Sequence, residues 1–508
     1  MNAPPRLPTF AFDNSYARDL SGFYVAWKPA AVPAPRLLHL DRTLAAELGL
    51  DAEALGGELG AAIFAGNLVP EGAEPIAQAY AGHQFGHYSP QLGDGRALLL
   101  GEVIDRQGRR RDIAYKGSGR TPFSRGGDGK AAVGPMLREV LISEGMHALG
   151  IPTTRALAVA ATGEAVVREV ELPGAVLTRV AASHLRVGTF QYFAGRGEVG
   201  RLKQLLDYTI ARHDPALAGA PDAPFALLRA VAERQAALVA QWMNVGFIHG
   251  VMNTDNMAIS GETIDYGPCA FLEAYDPKAV FSSIDHGGRY AYANQPPIAR
   301  WNLARLAEAL LPLVAKPDDE AALQRAIEQA MAVIDAYPGL YDTAWRSGQR
   351  AKLGLRTAEA GDAALADDWL ALLQAQQVDH TLAWRRLADA AAGSAEGLLA
   401  LVAEPAALDG WLARWRSRCA AEDGDAAGTD AAARDRAERL RRTNPLVIPR
   451  NHRVEEALAA ASEHDDLGPF EQLLAALRRP YDDDPALARY AEPAPAAVTA
   501  CYRTFCGT

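Results

Sequence analysis

Apolar positions run nearly unbroken from Ala97 to Ile104, a turn falls at Gln107-Gly108, and Asp112-Ile113-Ala114-Tyr115-Lys116 follows, which predicts two strands with a lysine closing the second. The period then changes. Met136, Leu137, Val140, Leu141 and Leu149 have helical spacing, with Gly134-Pro135 at the start and Gly150 as the stop, so a helix is expected over 135–149. Arg155 to Val180 alternates again, in strand-like segments around Thr162-Gly163 and Pro173-Gly174, and completes a small sheet. From Val199 onward the pattern is mostly helical. Leu227, Val231, Leu238, Trp242 and Val245 share one face of a long helix over 224–245 that delivers the chain to Gly246. An extended segment is expected from Pro268 to Pro297, then helices over 300–315 and 318–337. Ala-rich helices fill 360–440, with Glu422–Thr429 as a loop. Ahead of the first strands, Leu44–Phe64 reads as a helix in two pieces, broken at Gly56-Gly57.

Composition narrows the class. The chain has 508 residues, 49% hydrophobic and 22% charged, as in a globular protein with room for two or three domains. The net charge of -11 argues against a general nucleic-acid binder, and Arg109-Arg110-Arg111 reads as a solvated hairpin turn. No stretch approaches eighteen apolar residues, so no membrane span is expected, and Met1–Leu20 lacks a secretory pattern; a cytoplasmic location follows by default. Cys269, Cys419, Cys501 and Cys506 are too few and too scattered for a disulfide scaffold or a zinc cage. His83 and His87 have i,i+4 spacing, but the glycines around them argue against a helix and hence against half a zinc site.

The chemistry concentrates in His249-Gly250-Val251-Met252-Asn253-Thr254-Asp255-Asn256 and in Asp265-Tyr266-Gly267, with a hairpin expected at Ser260-Gly261-Glu262. Asp255, Asn256 and Asp265, within eleven positions, supply the oxygen ligands that a nucleotide-bound divalent cation needs. Laid on the protein-kinase pattern H-R-D-L-x-x-x-N followed by D-F-G, Asn256 falls on the metal asparagine and Asp265 on the metal aspartate. Val251 falls on the catalytic aspartate and cannot take a proton. Asp255 is the nearest carboxylate. Upstream, Gly93-Asp94-Gly95 before a strand and Lys116 on the next follow the order of a phosphate-binding turn and its lysine. Glu139 on the following helix is the expected partner of Lys116, because Glu144 lies on another face. The glycine-rich loop over 117–134, with Arg120, Arg125, Asp128, Gly129 and Lys130, is able to wrap an anion. Arg179 and Arg186 fall where two lobes would join.

With these pieces placed, the sequence closely resembles the selenoprotein O family of kinase-like proteins. The resemblance rests on Tyr80-Ala81-Gly82-His83-Gln84-Phe85-Gly86, Pro90-Gln91-Leu92-Gly93-Asp94-Gly95-Arg96-Ala97, Lys116-Gly117-Ser118-Gly119, Thr121-Pro122-Phe123-Ser124-Arg125, the two central motifs through Cys269, Phe281-Ser282-Ser283-Ile284-Asp285 and Gly288-Arg289-Tyr290-Ala291-Tyr292. It implies an α+β, protein-kinase-like two-lobed fold: an N-terminal extension over 1–75, a β-rich small lobe over 76–190, a helical large lobe over 191–350 and a helical C-terminal extension over 351–508. The implied activity is AMP transfer from ATP to Ser, Thr or Tyr hydroxyls of proteins, with UMP transfer in manganese attributed to some members. The implied nucleotide contacts are Gly93, Gly95, Arg96, Lys116, Asp128, Gly129, Arg179, Arg186 and Asp265. Asn256 and Asp265 would hold magnesium or manganese, Asp255 would accept the proton, and Cys269 with Cys506 would form a redox disulfide. Protein substrates and ATP, or UTP, are the implied partners. Two other functions compete on the residues alone: an ordinary ATP-dependent phosphotransferase with Asp255 as relocated base, and a silent nucleotide-binding scaffold suggested by Val251.

Overall fold

The structure, a computed structural model, describes residues 10–316 and 318–505. The first part of the chain contributes β1 (Tyr24–Ala26), β2 (Arg36–Leu40), β3 (Ile76–Gln78), β4 (Gly82–Gln84), β5 (His87–Ser89), β6 (Ala97–Ile104), β7 (Arg110–Lys116), β8 (Ala131–Ala132), β9 (Arg155–Val167) and β10 (Glu171–Ala181). An antiparallel sheet runs β1-β3-β6-β7-β10-β9-β2, with β8 on β10, while β4 and β5 form a separate hairpin. Residues 24–26 and 36–40 therefore supply strands of the same sheet as the segments that follow, and the N-terminal stretch is built into it.

Period-two alternation decides what each sheet face carries. Ile113, Tyr115, Val176 and Val180 point to a cluster with α2 (Arg42–Glu47) and α3 (Glu58–Phe64); α1 is Ser15–Asp19. Ala114 and Leu177 point the other way, to α4 (Val133–Ala148), and Lys116 and Arg179 lie at the same parity. The register sets Leu177 opposite Lys116 and Arg179 opposite Ala114, so both cations face α4. The helix ends at Gly150, whose φ of 78° suits a residue without Cβ.

Helices α5 (Val187–Ala194), α6 (Val199–His213) and α7 (Ala223–Val245) follow, and α7 leads into β11 (Phe247–Ile248), which pairs with β12 (Ala270–Phe271). That two-rung ladder closes residues 249–269 into one loop. The turn expected at Ser260-Gly261-Glu262 is present, but its flanks do not pair with each other: Ala258 bridges Arg186 and Thr263 bridges Thr153. The Met257 carbonyl accepts from Val187 N, Ile259 N donates to the Leu185 carbonyl and Thr263 N to the Pro152 carbonyl, which satisfies backbone groups that a hairpin ladder would have used.

Other expectations need correction. The chain turns at 168–170 between β9 and β10; Gly163, with φ 74°, sits inside β9 against Ala34, and Gly174 lies where the β9–β10 register shifts. Arg110 and Arg111 lie within β7, paired with Asp13 and Asp105, so they are not a solvated turn. After α8 (Gln295–Leu310), the helix expected to stop at Tyr337 continues as α9 (Glu320–Lys352) through Pro338. The Ile334 carbonyl, which loses its intrahelical donor to Pro338, accepts from Arg300 Nε at 3.2 Å. The Glu422 side chain is packed between Arg418 and Arg436, and the residue belongs to a helix that ends at Asp423. Residues 353–440 build a second, Trp-rich core around Trp369, Trp384, Trp411 and Trp415.

Candidate functional site

A cavity of about 1350 Å³ opens between the sheet and the loop closed by β11 and β12. Gly93, Gly95, Arg96, Lys116, Asp128, Gly129, Glu139, Arg179, Arg186, Asp255, Asn256 and Asp265 all line it. Its walls differ in what they can do.

The wall under the sheet is a buried ionic cluster. Lys116 Nζ donates to Glu139 on α4 and, at 2.8 Å, to Asp265 Oδ1. Arg179 Nη1 donates to the same Oδ1 at 2.7 Å, and Arg186 Nη1 lies 4.0 Å from Oδ2. Burial would raise the Asp265 carboxyl, but Lys116, Arg179 and Arg186 hold it well below the usual range. Asp265 has φ 65°, in the left-handed region that Asp tolerates better than bulkier residues. Arg186 lies over the Tyr80 ring at 4.5 Å and donates to the Asp255 carbonyl at 3.3 Å. Glu144 is elsewhere, bound to Arg155 and Arg478.

The opposite wall is the loop. Asn256 Nδ2 donates to the Val251 carbonyl at 3.0 Å, and Val251 is buried. Asp255 Oδ2 accepts from Gln84 Nε2 at 3.4 Å, while its Oδ1 is buried with no hydrogen-bond partner among the described residues. Desolvation pushes this carboxyl up to about 6, against the pull of Arg186. The β4–β5 hairpin clamps the loop: His83 N donates to Thr254 Oγ1 at 2.7 Å and Phe85 N to Asn253 Oδ1 at 3.0 Å. His83 pairs with Tyr88 in this hairpin, so the two histidines do not share a helix face. Among the described residues no group of three or more His, Cys, Asp or Glu side chains is arranged to hold a metal.

The rim is formed by the glycine-rich turns. Gly93 (φ 69°) packs so closely on Phe123 that a Cβ would lie 2.4 Å from the ring, and one at Gly129 (φ 69°) would lie 2.1 Å from the Gly119 carbonyl. Asp128 stands apart from the ionic cluster, gripped by Arg168 at 2.8 and 3.1 Å. Gly95 and Arg96 follow the turn into β6, and the Arg96 carbonyl accepts from Gly117 N. The C-terminal segment also reaches the rim. Thr504 pairs with Phe281 and Ser283 through its backbone, and its Oγ1 donates to the Pro268 carbonyl at 2.8 Å. Cys269 is fully buried, and burial raises its thiol to about 11. Cys506 lies outside the described residues.

Sequence reasoning gave no role to Gln84, Tyr80, Asp94 or His184. Asp94 is buried behind Arg186 and raised to about 6 by desolvation. Gln84 and Tyr80 stand in the quoted motifs, yet only tertiary pairing brings them to Asp255 and Arg186.

The chain matches the family described as protein adenylyltransferase SelO over residues 6–478. It is 62% identical over 501 residues to the protein nucleotidyltransferase YdiU of Cereibacter sphaeroides, covering 98% of this chain and all of that protein. It is 62% identical over 487 residues to the YdiU of Chromobacterium violaceum (95% and 99% of the two chains) and 57% identical over 507 to that of Methylorubrum extorquens (98% and 99%). Carrying this cavity and matching at this length, the chain belongs to the protein adenylyltransferase SelO family, a family of nucleotidyltransferases.

Proposed function

We propose that this protein transfers AMP from ATP to Ser, Thr or Tyr hydroxyls of proteins, within a kinase-like two-lobed arrangement with the boundaries given above. One observation carries the reading: Asp255, whose side chain lines the same cavity as Lys116, Arg179 and Arg186, has a buried Oδ1 with no hydrogen-bond donor among the described residues. A carboxyl near 6 is mostly ionised at neutral pH yet basic enough to take a proton.

The acceptor oxygen forms a bond to the α-phosphorus while the bond from that phosphorus to the bridging oxygen breaks, releasing pyrophosphate; the hydroxyl proton goes to Asp255 Oδ1. Lys116, Arg179 and Arg186 offset the phosphate charge in a site shielded from water. The donor set suits magnesium or manganese: Asp265 Oδ2 makes no hydrogen bond among the described residues, and Asn256 uses its Nδ2 on Val251, which leaves Oδ1 as an acceptor. Such a cation, when bound, supplies Lewis-acid stabilisation of phosphate oxygens. Gly93, Gly95, Arg96, Asp128 and Gly129 contact the nucleotide from the rim. UMP from UTP with manganese is a variant of the same chemistry.

The same reading includes a redox disulfide between Cys269 and Cys506; the contact of Thr504 with Pro268, next to Cys269, brings the terminal segment near it. Incubation with α-labelled or γ-labelled ATP and protein acceptors tests the central claim. Label from the α position should enter protein. Transfer of γ label alone would assign the site to phosphotransfer instead.

A further inference from the structure

His184, in the link between β10 and α5, lies directly against Arg179 of the cavity wall. Its ring is buried and bonded at both nitrogens: Nε2 lies 3.2 Å from Arg179 Nε, and Nδ1 lies 2.9 Å from Asp112 Oδ2, which also accepts from the His184 backbone N at 2.9 Å. An arginine Nε carries a hydrogen and only donates, so His184 Nε2 must accept and hold no proton. The ring hydrogen is then on Nδ1, donated to Asp112. Asp112 is itself fixed by Arg212, which also holds Glu102. Asp112 lies two residues before Ala114 on β7, at the parity of Lys116.

We infer that His184, held in its Nδ1–H tautomer by Asp112, is a positioning residue that orients the Arg179 guanidinium toward Asp265 and the nucleotide phosphates. Arg179 is thereby gripped at Nε by His184 and at Nη1 by Asp265, while Nη2 makes no hydrogen bond among the described residues and is available to an anion. A protonated imidazole would set N–H against N–H and push the guanidinium off line. Burial and the positive charge of Arg179 and Arg186 lower the imidazole to about 4, in keeping with a neutral ring. The inference rests on the proposed function only in taking Arg179 as a phosphate contact.

Two measurements test it. In the wild-type protein labelled with 15N-histidine, His184 should give the neutral Nδ1–H signature between pH 6 and 8; an Nε2–H or doubly protonated ring would overturn the inference. The second is ATP affinity by calorimetry for His184→Gln, Arg179→Lys and the double variant. His184→Gln should weaken ATP about tenfold, and the double variant should be within about twofold of Arg179→Lys alone, since both act on one group. Multiplicative losses would mean that His184 does not act through Arg179. If His184→Gln fails to fold, the ring-nitrogen signature of the wild-type protein decides alone. A wild-type protein that binds ATP with this coupling but transfers no α label would refute the proposed function and leave this inference standing.

Discussion

Replacing Asp255 by asparagine removes the proposed base while keeping the shape of the side chain, and the burial of this carboxyl predicts that the fold gains what the reaction loses. The group rises from its ordinary 3.8 to about 6 on folding, so the folded protein holds its proton more tightly than the unfolded chain. The stability associated with the protonated form is fully present below pH 3.8 and is lost as pH rises through 6. The loss relative to a neutral isostere reaches about 3 kcal/mol at pH 8, from roughly two pK units at about 1.4 kcal/mol each, and is roughly half that at pH 5, where only about one unit of the shift has been crossed. Asp255→Asn should therefore be more stable than the wild type, and the gain should roughly double between pH 5 and pH 8. With an unfolding entropy of about 2.1 cal/mol/K per residue, 3 kcal/mol over this length corresponds to a Tm increase of about 3 °C at pH 8. Transfer should fall by about 10² to 10⁴. Wild-type kcat/KM should climb with pH to a plateau above 7, with its acid limb centred near 6, and the residual activity of the variant should lack that limb. Differential scanning calorimetry at the two pH values beside an α-label assay checks both parts. A variant less stable than the wild type at pH 8, or one retaining more than about a tenth of the activity, would refute the reasoning.

Asp265→Ala should weaken metal-dependent ATP binding as well as transfer, whereas Asp255→Ala should bind ATP nearly as the wild type does; calorimetry on both separates ligand from base. Gly82→Ala puts a Cβ 2.6 Å from Asp255 Oδ1 and 2.9 Å from Leu92 Cδ1, so transfer should fall at least tenfold with ATP affinity little changed, read as a kcat effect at unchanged Kd. A maleimide should label exposed Cys501 within minutes at neutral pH and spare buried Cys269, whose thiol is raised to about 11; mass mapping of the reduced protein reads this. Oxidised protein should show a Cys269–Cys506 peptide, with transfer rising on reduction; free thiols in that pair would remove the redox element.

The strands and helices that carry Lys116, Glu139 and the α7 entry to the loop were legible because each is a local pattern bounded by glycine or proline. What the sequence could not show was pairing over distance. Strands β1 and β2 are three and five residues long and join the sheet next to segments at least fifty and more than a hundred positions away, so no periodicity announces them. Thr162-Gly163 carries the same turn signal whether the chain reverses or only bulges, and here packing against Ala34 made it a bulge. Pro338 is a stop in any local reading; the donor that removes the stop comes from Arg300 on another helix. At the site, the motifs named Asp255 and Asn256, but the hydrogen bond from Gln84 and the grip of His184 on Arg179 depend on side chains brought together only by the fold.

The guanidinium of Arg300 has a mechanical consequence for the whole chain. A proline in mid-helix ordinarily serves as a joint, yet this one is splinted, so α9 acts as a single strut of about 50 Å. The N-terminal half of the strut is packed by Ala326, Ala330 and Val333 into the core beneath the loop over 249–269, and at the C-terminal end Leu353 enters the Trp-rich core. The two cores are thus girders on one beam: heat or denaturant should bring them down in one cooperative step, and cutting the Arg300 splint should let the Trp-rich core melt on its own.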